Sequence, residues 1–317
     1  MKVMISSDGG HAHFFQRSAW AHAFNTVGIQ ATLWDCKQTP AFDAFDTVEP
    51  DIFLGQAYNL DEATIKCIYE RPHMKVGLRA GDWGVHENIV DKSKYDDKAI
   101  NVTHNHFTSI GIKPISLMMC ADTLMYSGAK FDPKLACDIG FVGGYWPYKG
   151  LVIDKYLFPL LDPVGQYGVK IFGNQPWWKA NQYCGLISDE EVKDLFMSAK
   201  ICPNLSEPHA QEFGIDVNER IFKILYSGGF CISDNVSSYK MFGDGLVIAK
   251  SPEDFKEKID YYLENEEERK TISQIGHDYV KKNHTGFHRI AKIMKEFDYE
   301  DLSDTIITKY EESINEN

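Results

Sequence analysis

Short apolar runs alternate along this chain with longer stretches in which apolar residues recur every three or four positions, a pattern that predicts parallel strands joined by crossover helices. Residues 2–6 have strand character, Gly9-Gly10 that of a loop, and residues 12–27 that of a helix with Phe15, Ala19, Phe24 and Val27 on a rough stripe. Further strands are predicted at 31–34, 52–54, 76–78 and 100–103. A second series occupies 139–142, 169–172, 201–203, 230–233 and 246–248. Two parallel sheets, each with its own helices, are the expected outcome.

Helix starts are legible within that pattern. Ser188, with Glu191 three residues on, forms a capping box ahead of Val192, Leu195 and Phe196. Ser251 followed by Pro252 opens another helix, with Phe255, Ile259, Tyr262 and Leu263 as its apolar stripe. The polar, Gly/Pro-containing stretch at 126–133 marks a boundary, which divides the chain into domains at 1–130 and 131–290 and a C-terminal helix and tail at 291–317. Residues 298–317 carry few apolar anchors and an acidic tip, so the extreme end is expected to fray.

Composition narrows the partners. A chain of 317 residues with 44% hydrophobic and 25% charged residues has the make-up of a soluble globular protein of two domains or one large α/β unit. Lys and Arg number 33 against 46 Asp and Glu, a net charge of −13 that repels polyanions and makes nucleic acid a poor partner. No run of about 18 apolar residues is present and the first residues form no basic leader, so a cytoplasmic protein without a membrane span is expected. The seven cysteines lack any Cys-x-x-Cys pair and read as reduced, mostly buried thiols.

The stretch from Asp216 to Ser233 carries the most specific chemistry. It predicts a helix that opens on polar residues and runs through Gly228-Gly229 into a buried strand. Open N–H groups at such a helix start attract anions, and Arg220 in the first turn offers a bidentate fork. In open α/β sheets ligands bind beyond the carboxyl ends of the strands. The residues placed there are Gly143, Gly144, Tyr145 and Lys149, then Gly173 and Asn174, then Asn204, then Asn218 and Arg220. Taken singly, a glycine pair after a strand is an ordinary turn and an Arg at a helix start an ordinary surface ion pair.

The ordered set of motifs changes that balance. Asp138-Ile139-Gly140-Phe141-Val142-Gly143, Val169 to Gly173, Ala199-Lys200-Ile201-Cys202-Pro203-Asn204, Val217-Asn218-Glu219-Arg220-Ile221-Phe222, Ser251 to Asp254 and His284 to Arg289 follow in the order and spacing of the CgeB-like (spore-maturation type) glycosyltransferases, which this half of the chain resembles. The resemblance implies the GT-B fold, two Rossmann-like domains facing across a cleft. It implies a metal-independent transfer of a sugar from a nucleotide-diphosphate-sugar donor, with no further cofactor. Gly143, Gly144, Lys149, Gly173, Asn204, Asn218, Glu219 and Arg220 would bind the donor. Lys223 stands where the family has the acid that holds the nucleotide ribose, and Ile215 stands eight residues before it. Glu212 and Glu219 lie off that register, so Glu219 meets a ribose only if the helix is shifted, and Lys223 becomes a candidate for a phosphate.

In such a fold the N-terminal half holds the acceptor and supplies a base. Asp82, His104 and His11, each predicted to follow a strand, are the catalytic candidates for taking the hydroxyl proton. The blander reading has Asp82 cap a turn and the histidines line a wet interface. The pairs His11/His13 and His104/His106 lack further ligands, so a metal is not expected. Pro176-Trp177-Trp178 and Trp146-Pro147-Tyr148 offer aromatic faces for a sugar or base. The acceptor, whether glycan, protein or small molecule, is unidentified. Three alternatives stand beside transfer: epimerisation of a nucleotide sugar, a catalytically silent nucleotide-sugar-binding protein, and glycosylation of modified DNA bases.

Overall fold

The structure, a computed structural model, describes residues 1–7, 11–56, 60–79, 108–109, 111, 113–177, 180–214 and 217–315, the side chains of residues 11–13 and 213 excepted. The chain divides into two compact units, Met1–Leu124 with Thr285–Asn317, and Met125–His284.

In the first unit β1 (Lys2–Ser7), α1 (His11–Thr26), β2 (Gln30–Asp35), α2 (Ala41–Val48), β3 (Ile52–Gln56), α3 (Glu62–Tyr69) and β4 (Lys75–Arg79) alternate. The described strands form a parallel sheet in the order β2-β1-β3-β4. Successive residues on a strand point to opposite faces, and here both faces are covered. Val3, Ile5, Ile52 and Leu54 pack with Phe24, Ile290 and Met294 on one side. Met4 and Phe53 pack with Trp34, Phe45 and Cys67 on the other. The strand expected at 100–103 lies outside the described residues.

The second unit holds β5 (Cys137–Val142), α5 (Pro147–Tyr156), β6 (Val169–Phe172), β7 (Tyr183–Gly185), α6 (Asp189–Ser198), β8 (Ala199–Asn204), α7 (Pro208–Phe213), α8 (Glu219–Tyr226), β9 (Cys231–Ser233), β10 (Val247–Ile248), α9 (Pro252–Glu264) and α10 (Glu266–Asn283); the short α4 (Thr123–Tyr126) spans the boundary with the first unit. Its parallel sheet runs β10-β9-β8-β5-β6-β7. The capping box is present: Ser188 accepts from the Glu191 N–H while Glu191 reaches back to Ser188. Strand β7 has no counterpart among the expected elements. It is three residues long and too short to carry a period.

Two boundaries differ from the expected ones. The contacts divide at 124/125 and 284/285 rather than at 130/131 and 290/291. Residues 285–317 are integral to the first unit, because α11 (Gly286–Glu296) and α12 (Glu300–Asn315) close its core. Leu302, Ile306 and Tyr310 recur at the four-residue spacing of one helix face; Ile306 and Tyr310 are buried, and Tyr310 stacks on Phe287 at 4.6 Å. Three well-placed anchors hold the segment that looked too polar to pack. Gly286 lets α1 approach, since a Cβ there would lie 2.5 Å from the Ala19 carbonyl oxygen. Among the described residues no helix is long and apolar enough to cross a membrane.

Candidate functional site

The strand order of the second unit locates its site. From β5 the chain adds β6 and β7 on one side, then returns to place β8 on the other. The carboxyl ends of β5 and β8 therefore flank a switch point, where α/β sheets open a crevice for ligands. Arg220 occupies that place. Its Nε donates to the Val142 carbonyl at the end of β5 (2.9 Å), and its Nη1 donates to Asn204 Oδ1 and the Leu205 carbonyl after β8 (both 3.4 Å). The guanidinium lies 4.8 Å over the Phe141 ring.

The turns around it are held by close backbone approach. The Gly143 N–H donates to the Phe172 carbonyl at 2.9 Å, and Gly143 oxygen accepts from Trp177 Nε1 at 3.0 Å. A Cβ on Gly143 would meet Arg220 Nη2 at 2.8 Å, and one on Gly173 would meet the Gly143 oxygen at 2.3 Å. Gly173 thus needs glycine for packing against backbone, whereas a side chain at Gly143 would displace the Arg220 guanidinium. Trp177 is buried as core, whereas Trp146, just before α5, and Tyr148, in its first turn, remain exposed. Trp178 lies outside the described residues.

Two helices of the rim start without a side-chain cap. Trp146 precedes α5 and Asn218 precedes α8, and neither makes a capping hydrogen bond. Their first-turn N–H groups and positive dipole ends are left to a ligand or solvent. Lys149, in the first turn of α5, is only 7% exposed. Burial, reinforced by the charge of Arg220, pulls its ammonium down to about 7. Its Nζ lies 4.9 Å from the Trp146 ring.

At the start of α8, Asn218 Nδ2 is 3.5 Å from the Tyr239 hydroxyl, and its Oδ1 is buried with no hydrogen-bond partner among the described residues. Glu219 uses Oε1 to hold Lys223 Nζ at 2.8 Å, while its Oε2 is buried with no hydrogen-bond partner among the described residues. Lys223 is itself buried, 5.7 Å from the Tyr126 ring. This carboxylate and ring are among its partners. Asn204 is wholly buried and spans Arg220, Ser233 and Tyr239. It connects the rim rather than facing solvent.

Sequence reasoning missed Asp234. This residue follows β9 and is fully buried, accepting from the Ser206 N–H and hydroxyl, from Gln211 Nε2 and from the Ser233 hydroxyl. Burial pushes its carboxyl up despite these donors. Ser206 continues the network to the Tyr239 hydroxyl at 2.6 Å. The signal was available: the rule that sent attention to residues after β5, β6 and β8 applies equally after β9. Tyr148 ties the other side, its hydroxyl accepting from the His209 N–H at 3.2 Å.

Asp82 and His104 lie outside the described residues, and His11 begins α1 with a side chain outside them as well. Among the described residues no group of His, Cys, Asp and Glu is placed to hold a metal ion. None of the seven cysteines is in a disulfide. A cavity of 720 Å³, lined in part by Phe131, Phe230 and Lys270, lies at the amino ends of β8 and β9, away from this rim.

Residues 158–295 match the family model described as Glycosyl transferase-like. No curated protein matches the chain. Among solved structures, an alpha-glucosyltransferase in complex with UDP-glucose and DNA containing an abasic site superposes with a TM-score of 0.66 at 12% identity, covering 94% of this chain and 98% of the other. T4 phage BGT in complex with UDP-glucose gives 0.57 at 12%, covering 96% and 99%. Anabaena Alr3699/HepE in complex with UDP-glucose gives 0.55 at 12%, covering all of both chains. The chain is thus an α/β protein of the GT-B fold with two Rossmann-like units, and its second unit contains most of a Glycosyl transferase-like sequence match.

Proposed function

We propose that this protein is a glycosyltransferase that moves a sugar from a nucleoside-diphosphate-sugar to an acceptor hydroxyl, with the donor held by the second unit. The observation that carries the reading is Arg220 bridging the ends of β5 and β8 at the switch point. Lys149 lies close enough for their charges to couple, and two uncapped helix starts share the rim. As the glycosidic bond to the diphosphate breaks, negative charge grows on the leaving phosphate. Lys149, Arg220 and the free N–H groups of α5 and α8 supply fixed positive charge there. The unbonded oxygens of Asn218 and Glu219 accept from donor hydroxyls.

The similarity to UDP-glucose-bound proteins of the same fold supports a UDP-sugar as the first donor to try. Asp82, His104 and His11 are proposed to take the acceptor proton, and the cytoplasm is the proposed location. The CgeB-like subtype is likewise a proposal, resting on the motifs from Asp138 to Arg289.

A thermal-shift screen with UDP, GDP, TDP, ADP and CMP and their sugar conjugates tests the donor site, because a ligand of the native state raises its stability as RT ln(1 + [L]/Kd). A selective shift that disappears in Arg220→Ala, followed by donor-dependent release of the nucleoside diphosphate with an acceptor, is the expected result. Binding without turnover on any acceptor would favour the silent binding protein.

A second reading, glycosylation of DNA bases, is favoured by the structural likeness to an enzyme solved with DNA. The net charge of −13 opposes it. Duplex DNA binding that weakens steeply with salt would revive it.

A further inference from the structure

The Lys223–Glu219 pair has a geometry that a surface ion pair does not need. It sits at consecutive turns of α8, with side chains 10% and 21% exposed and 2.8 Å between Nζ and Oε1. Its second carboxylate oxygen is buried without a hydrogen-bond partner among the described residues, and the preceding residue, Asn218, leaves its amide oxygen in the same condition. A buried acceptor with no donor costs on the order of 1–3 kcal/mol. Two of them on consecutive residues complement a ligand that brings two O–H donors.

The surroundings explain why a cation is placed behind the carboxylate. Arg220 and Lys149 both feel the charge of Glu219. Left unpaired, that carboxylate would turn toward them and cancel the positive charge available to a phosphate. Lys223 engages it from the opposite end of the helical turn, and the ion pair leaves Arg220 bonded to Val142, Asn204 and Leu205.

We propose that Lys223 is a positioning residue, which fixes Oε1 of Glu219 so that Oε2, together with Asn218 Oδ1, accepts from a vicinal pair of donor hydroxyls. This rests on the nucleoside-diphosphate-sugar reading above. It moves the hydroxyl-binding acid one turn, about 5.4 Å, ahead of Lys223, and makes a cation at 223 part of the site rather than a lesion in it. Two sources carry such a diol, the ribose and the transferred sugar.

The test compares binding of UDP, 2′,3′-dideoxy-UDP and UDP-glucose to the full chain and to Lys223→Met, Lys223→Arg and Glu219→Gln. In the native protein, loss of the ribose diol is expected to weaken binding about tenfold, the worth of a hydrogen bond to a charged acceptor. Lys223→Met and Glu219→Gln should erase that ratio, and Lys223→Arg should restore it. If the ratio is flat for the ribose but UDP-glucose loses its advantage over UDP in Lys223→Met, the diol is that of the sugar. A native ratio retained in a folded Lys223→Met protein overturns the positioning role while leaving the donor reading intact. Absence of UDP and UDP-glucose binding in the native protein overturns the UDP-sugar reading, and this proposal with it. Lys223→Arg guards against misfolding, since a variant that melts like the native chain yet keeps the Met phenotype also counts against the proposal.

Discussion

Gly173 lies so near Gly143 that a Cβ on the first would stand 2.3 Å from the carbonyl oxygen of the second. The two turns that follow β5 and β6 are thereby locked together, with Trp177 donating to the same oxygen. Gly173→Ala must push the Gly143 turn aside, toward Arg220. Overpacking of this kind costs about 1–3 kcal/mol. A lowered denaturation midpoint accompanied by weaker nucleotide binding is expected, and an alanine variant with native stability and binding would show that the rim is not rigid.

Lys149 contributes a pH dependence of definite sign. Its folded value of about 7 lies below the 10.5 of the unfolded chain. Between those values the unfolded chain binds more protons, so stability rises with pH across that window, and the burial penalty is complete below it. Lys149→Met should therefore melt higher than the native protein at pH 6, with the advantage fading toward pH 10. The same variant should lose nucleotide binding, a trade of function for stability. Melting curves at both pH values, with and without UDP, check each half.

The buried carboxylate of Asp234 accepts from four donor groups, and an amide in its place would turn one N–H face toward them. Asp234→Asn is expected to cost about 1–3 kcal/mol and to raise the KM for donor by loosening residues 205–207 and the start of α7. Because burial raises the native carboxyl above its unfolded value, the part of stability linked to its protonation is present below 3.8 and is lost as pH rises through the folded value. Urea titrations of the native and variant chains between pH 3 and 7 would expose that difference. Its absence would mean that the hydrogen bonds outweigh the burial.

In the first unit, His22 Nδ1 lies 2.8 Å from Asp122 Oδ2. The hydrogen bond to Asp122 raises the imidazole above 6.5. That stabilisation is complete below 6.5 and fades as pH climbs through the folded value. Asp122→Asn should flatten the melting temperature between pH 6 and 8, without altering nucleotide binding at the other unit.

Ser188→Ala removes the cap of α6 and half of its capping box, at a cost of about 1 kcal/mol. Donor binding should be untouched, which makes it the stability control for every rim variant.

Local physics made much of this architecture legible. Strand and helix periods, the Ser188–Glu191 box and the Ser251–Pro252 start all act between residues a few positions apart; both helix starts are present, as are the strands predicted among the described residues. Arg220 and the glycines after β5 and β6 were found by the rule that ligands gather beyond strand ends. Asp234 obeys the same rule, but its network of Ser206, Gln211 and Ser233 forms only in the fold. Strand β7 escaped because three residues carry no period.

What the sequence by itself determined is therefore the alternation of elements, their caps and the residue types offered at the rim. Tertiary structure decided which of those residues meet. That Lys223 reaches back to Glu219 is a matter of one helical turn, but burial of the pair depends on how α8 packs in its unit. That Asn204 ties Ser233 and Tyr239 to Arg220 follows from segments distant in sequence arriving together. The close of the first core by α11 and α12 likewise requires the last 33 residues to return to the first. Hydrophobic burial and hydrogen-bond satisfaction are indifferent to separation along the chain, and only the folded molecule brings those partners within reach.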